Sequence, residues 1–166
     1  MNLIIQSTLK TLKKSQSLLD NLSDEQLCNA SVRPYHSSIG THIRHILDFY
    51  ECIFNVNSEN QIDLTARPRN TDVEEQCDCA KNYLNLIMDK LNTLDFDMEK
   101  TVSVIDDLGL GTVDITYTYG ALLSQANSHT IHHYAIINYI FDRLGIVIND
   151  AEFGYNPTTP KQTSLN

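Results

Sequence analysis

The chain has 166 residues, with 12 Lys and Arg against 21 Asp and Glu, and a formal net charge of −9 with its histidines neutral. Such acidity argues against a nucleic-acid backbone or an anionic membrane as the main partner. No apolar run approaches the roughly 20 residues of a membrane-spanning helix, and the length suits one domain around one core.

Leu3, Ile5, Leu9, Leu12, Leu19 and Leu22 recur at helical spacing and predict an amphipathic helix over about residues 2–22. The first six residues are too short, and too polar afterwards, for a secretory apolar region. Ser23-Asp24-Glu25-Gln26 is a capping-box pattern that restarts a short helical turn before Arg33-Pro34 breaks the chain. Ser37 or Ser38 then caps a second long helix running to about Asn55. Its apolar residues, from Ile39 to Phe54, cover the wide arc of a helix touching two neighbours. Residues 56–70 are polar, contain Pro68, and read as a loop. Thr71-Asp72-Val73-Glu74 is a second capping box that opens a third helix, carried by Val73, Cys77, Ala80, Leu84, Ile87, Met88, Leu91 and Leu94.

Between Thr101 and Tyr119 the period changes to alternation. Val102 and Val104 precede Asp106-Asp107-Leu108-Gly109-Leu110-Gly111, and Val113, Ile115, Tyr117 and Tyr119 follow, which predicts a two-stranded hairpin as the only sheet. A fourth long helix starts near Gly120 and stops at Leu144, with Gly145 as the residue that ends it. The expected architecture is all-α: a four-helix bundle with a small β-hairpin between helices three and four. Cys28, Cys52, Cys77 and Cys79 form no C-x-x-C pair and read as reduced thiols, so the cytoplasm is the expected location.

The fourth helix carries the chemistry. Leu122, Ala126, Ile136, Ile140 and Leu144 fall within about 80° of arc, and His129 and His133 lie in the middle of it. Two imidazoles one turn apart on a buried face need a partner, because an unpaired buried polar group costs a few kcal/mol. A divalent metal satisfies both rings at once, and a complete shell calls for a third ligand from another helix. Ser37-Ser38-Ile39-Gly40-Thr41-His42-Ile43-Arg44-His45-Ile46-Leu47-Asp48 offers two candidates. His42 lies nearer the centre of that helix's apolar arc, and His45 sits at its edge beside Phe49 and Cys52. His132 points about 80° away from the mean direction of His129 and His133, and His36 lies in a loop without an assigned role.

These features together resemble the DinB/YfiT-like superfamily of metalloproteins, over nearly the whole chain. The resemblance rests on the Ser38–Asp48 segment, on His129-x-x-x-His133, and on the hairpin placed before the last long helix. It implies a bundle, residues 1–155 as a single domain with 156–166 as a tail, that holds one divalent metal (Zn, Ni, Mn or Fe) with three histidines. It places the ligands at His45, His129 and His133, which leaves His42 as a pocket neighbour or as the competing ligand. It also implies a thiol S-transferase or hydrolase activity on a small-molecule thiol or electrophile, and a homodimer. The competing class is a non-catalytic bundle that binds a partner or small ligand.

Three further features stay open at this level. Arg67-Pro68-Arg69 is a basic spot in an acidic chain that can clamp a substrate carboxylate or pair with neighbouring loop acids. Phe153-Gly154-Tyr155-Asn156-Pro157 can fold back over a pocket or simply pack. Tyr117 and Tyr119 suit either a pocket mouth or a half-buried strand. No carboxylate occupies an obvious general-base position; Asp48 is the nearest, and its i,i+4 spacing suits a pair with Arg44.

Overall fold

The computed structural model describes residues 2–160. The Asn2 side chain accepts from the Ile4 N–H at 2.8 Å and opens α1 (Leu3–Leu19), whose buried stripe runs from Ile5 through Leu9 and Leu12 to Leu19. Ser23 and Gln26 complete the reciprocal capping box of the short α2 (Asp24–Cys28). The Ser38 hydroxyl caps α3 (Ile39–Phe54), which buries residues around most of its circumference.

The third predicted helix is divided. The chain forms a four-residue α4 (Asp72–Glu75), is extended at Gln76 (φ −126°, ψ 118°), and restarts as α5 (Cys77–Asn92). Thr71 makes no side-chain capping bond, while the Cys77 N–H donates to the Asp24 carboxylate at 2.8 Å. That bond from α2 fixes the new helix start, a long-range contact that local pattern does not show. Thr118 caps the last helix, α6 (Tyr119–Leu144), and Gly145 ends it in the left-handed region at φ 68°.

The four long helices pack around one core: α1 touches α5 and α6, and α3 touches the same two. The structure is thus mostly helical, with six helices among the described residues rather than four. The hairpin forms as expected, β2 (Thr101–Asp107) against β3 (Thr112–Thr118), with Val104 opposite Ile115. It is not the only sheet component. β1 (Gln61–Asp63), inside the stretch read as loop, runs parallel to β2 with Ile62 opposite Val104, so the sheet has three strands in the order β1-β2-β3. Ile62, Val102 and Val104 turn inward and join the helical core.

The four cysteines are unbonded. No helix among the described residues is long and apolar enough to cross a membrane. After α6, Phe153 is buried and stacks on Tyr134 with centroids 4.6 Å apart. The segment that carries it borders a cavity of about 860 Å³ between α1 and α6, lined on α6 by Asn127, Ile131 and Tyr134. That face of α6 is not the histidine face. Of the expected tail, residues 161–166 lie outside the described residues.

Candidate metal centre

The site forms where α3 and α6 face one another. Gly40 allows α3 to approach α4 closely, since a Cβ there would lie 2.0 Å from the Glu74 carbonyl oxygen. Arg44 joins the two by donating to Glu74 through Nε at 2.7 Å, and also to Asp48 at 3.0 Å. The rest of α3 then presents His42 and His45 toward α6.

The buried face of α6 is rotated from the one expected. Leu122, Ala126 and Ile140 are buried as expected, but the face extends through Leu123, Thr130, Tyr134, Ile137 and Phe141, whereas Ile136 and Leu144 are only partly buried. By helical angle the histidines sit roughly 70° from the centre of that face. His129 and His133 therefore occupy its shoulder, half-buried and turned toward α3, instead of the middle of the core.

On that shoulder the three rings converge. His45, His129 and His133 each offer a ring nitrogen, and the three atoms lie within 4.8 Å of one another. His129 Nε2 is 3.0 Å from His133 Nε2 and 3.3 Å from His45 Nε2. Imidazole nitrogens about 2.0–2.1 Å from a tetrahedral ion would be about 3.3–3.4 Å apart, close to the two spacings at His129, so the donor set suits a small divalent cation. Phe49 packs on the His129 ring with centroids 5.0 Å apart and closes its apolar side. His129 Nδ1 is buried without a hydrogen-bond partner.

Electrostatics keeps these rings neutral, which is the form that ligates. Burial, then the nearby Arg67 charge, holds His45 down at about 3. Burial and Arg67 likewise bring His129 to about 4, and burial followed by the neighbouring histidines takes His133 to about 2.

His42 is not one of the three. It is buried behind His133, with Nδ1 2.9 Å from His133 Nδ1 and Nε2 2.9 Å from the Ser37 hydroxyl. It thereby holds the nitrogen of His133 that faces away from the cluster, as the outer partners of metal-bound imidazoles do. His132 is exposed on α6. His36, also exposed, keeps to its own loop with Nδ1 3.3 Å from the Ala30 carbonyl.

Two residues bring charge to the cluster from outside the helices. Arg67 donates through Nη1 to His45 Nδ1 at 2.8 Å, with the same nitrogen 3.3 Å from His45 Nε2. The expected alternative, ion pairs between this basic spot and loop acids, is not present among the described residues. Asp106, on β2, is the acidic group whose charge opposes the lowering at His129. Sequence reasoning missed Asp106, because nothing local says that this end of the hairpin lies near α6. Of the two tyrosines expected on the strand, Tyr117 lies on β3 and is half-buried, whereas Tyr119 is the first residue of α6 and belongs to the core, packed on Phe96 at 4.3 Å between centroids.

Fold and site define a helical protein with a candidate three-histidine metal centre. Its sequence is matched by the family model of the DinB superfamily over residues 8–137, and the chain belongs to that superfamily. The match covers α1 through most of α6, including all three histidines. No curated protein and no solved structure matches the chain.

Proposed function

We propose that the chain is a metal-dependent enzyme in which α1, α3, α5 and α6 act as a four-helix bundle and His45, His129 and His133 hold one divalent ion. The observation that carries this reading is the convergence of three imidazole nitrogens within 4.8 Å of one another, with His129 Nε2 3.0 and 3.3 Å from the other two. Three protein ligands leave a coordination position for water or substrate, the arrangement of catalytic rather than structural sites. An ion held there supplies Lewis acidity, lowering the pKa of a bound water or thiol.

The chain's own groups complete the site. His42 and Ser37 set the orientation of His133, Phe49 shields His129, and Asp106, whose charge reaches His129, is a carboxylate able to accept a proton from a substrate there. We infer a thiol S-transferase or hydrolase reaction on a small molecule, in a reducing compartment such as the cytoplasm that suits four unbonded cysteines.

Elemental analysis of untagged protein, paired with turnover of a low-molecular-weight thiol and a soluble electrophile, tests the reading. About one divalent ion per chain and chelator-sensitive turnover are expected. Failure to retain any ion after loading and dialysis would refute it.

A further inference from the structure

Arg67 is a half-buried guanidinium without an acidic partner, in a place where it bonds His45 and its charge reaches His129. The nearby carboxylates are engaged elsewhere. Asp48 accepts from Arg44, from the Tyr83 hydroxyl and from the Arg69 N–H. Glu74 accepts from Arg44, and Asp63 accepts from both the backbone and the hydroxyl of Thr65. Only two of the Arg67 nitrogens are used, Nε toward the Leu64 carbonyl at 3.0 Å and Nη1 toward His45. The Nη2 donors have no protein acceptor among the described residues.

The position is nevertheless built. The Arg67 N–H donates to the Thr65 carbonyl at 3.0 Å, the Arg69 N–H is anchored on buried Asp48 at 3.1 Å, and Pro68 lies between them. A cation held this firmly beside neutral ligands, and beside a divalent ion once one is bound, leaves the site net positive even with the Asp106 charge counted. One fixed guanidinium edge, with no second unpaired cation at the cluster, matches a planar monoanion that accepts two parallel N–H bonds.

We propose that Arg67 anchors a carboxylate of the substrate at the open side of the three-histidine site, so that the enzyme takes small molecules bearing a carboxylate group. This rests on the metal reading above. Arg67 is a binding residue here. With an ion on His45 Nε2 the neutral ring carries its proton on Nδ1 and can no longer accept from Arg67, which leaves the guanidinium free for the anion.

The test is a titration of the Co²⁺-loaded protein with acetate, read by the visible absorption of the ion, with acetamide as a neutral control of the same shape. Acetate should shift the spectrum saturably and acetamide should not. Arg67→Gln should weaken acetate binding about tenfold or more, the loss expected for a charge-assisted pair, while binding Co²⁺ at least as tightly as wild type. Arg67→Lys, which keeps the charge and loses the fork, should fall between the two. Equal acetate affinity in wild type and Arg67→Gln, or no acetate response in a Co²⁺-loaded wild type, overturns the carboxylate anchor and leaves the metal site standing. Failure of wild type to take up Co²⁺ overturns both.

Discussion

Replacing Asp48 probes the scaffold that supports the site. Its side chain is 0% exposed and accepts three hydrogen bonds: from Arg44 at 3.0 Å, the Arg69 N–H at 3.1 Å and the Tyr83 hydroxyl at 3.2 Å. Asp48→Asn preserves shape and can still accept from Arg44 and Arg69 if its amide nitrogen turns toward the Tyr83 oxygen. It loses the charge, and hydrogen bonds to a charged group exceed neutral ones by about 1 kcal/mol each. Two such bonds give a loss of about 2 kcal/mol, since Arg44 keeps its second partner, Glu74. Asp48→Ala takes the acceptor from Tyr83 and the Arg69 N–H and leaves Arg44 with Glu74 alone, and removing one side of a buried pair costs about 3–5 kcal/mol. For a domain of this size, 1 kcal/mol moves Tm by about 2–4 °C. Thermal denaturation should therefore show a drop of about 4–8 °C for Asn and about 6–20 °C for Ala. An Asn variant as stable as wild type, or an Ala variant no worse than Asn, would show that this network contributes no net stability.

Gly40→Ala places a Cβ 2.0 Å from the Glu74 carbonyl oxygen, so α3 and α4 must separate; a loss of about 2 kcal/mol or more in chemical denaturation is expected. His42→Ala removes the partner of His133 Nδ1 and should weaken metal binding about 10–100-fold, measured by chelator competition. Stability of the metal-free protein should fall with acidity. His45, His129 and His133 are held at about 3, 4 and 2 in the fold, against an ordinary value of about 6.5 when unfolded. Below that value the unfolded chain binds protons that the native rings refuse, so the folded state loses stability as pH falls through 6 and 5. A Tm that is flat or rising between pH 7 and pH 5 would contradict the burial of these rings.

Several helix ends were legible because they carry local chemistry: the Ser23 box, the Ser38 cap, and Gly145 at positive φ. The break at Gln76 was not, since it depends on Asp24 reaching across from α2. β1 escaped for a similar reason. Three residues carry no period, and Gln61–Asp63 is a strand only because the chain returns alongside β2. The true core face of α6 was hidden by its polar members. Thr130 donates to the Ala126 carbonyl at 2.8 Å and meets the Tyr50 hydroxyl at 3.1 Å, and the Tyr134 hydroxyl bonds the Thr11 carbonyl. The expected stripe therefore catches Leu122, Ala126 and Ile140, which are buried, but centres on one edge of the true face. His129 and His133 were found all the same, because their i,i+4 spacing does not depend on the exact centre of the buried arc. The choice between His42 and His45 needed three dimensions: the edge residue faces α6, and the more buried one lies behind His133.

The central claim is that His45, His129 and His133 bind one divalent ion in a protein that folds without it. Calorimetric Zn²⁺ titration of untagged wild type, His129→Ala and His132→Ala, with far-UV circular dichroism before and after chelation, tests it most directly. Wild type and His132→Ala should each bind about one ion with similar affinity, and His129→Ala should bind more than about 100-fold more weakly, a loss beyond that of an outer partner. All three should remain helical after chelation, because Leu12, Leu19, Ile43, Ile53 and their neighbours form a core that owes nothing to the ion. Equal affinity in the two variants would contradict the ligand assignment, and loss of helicity on chelation would show the ion to be structural.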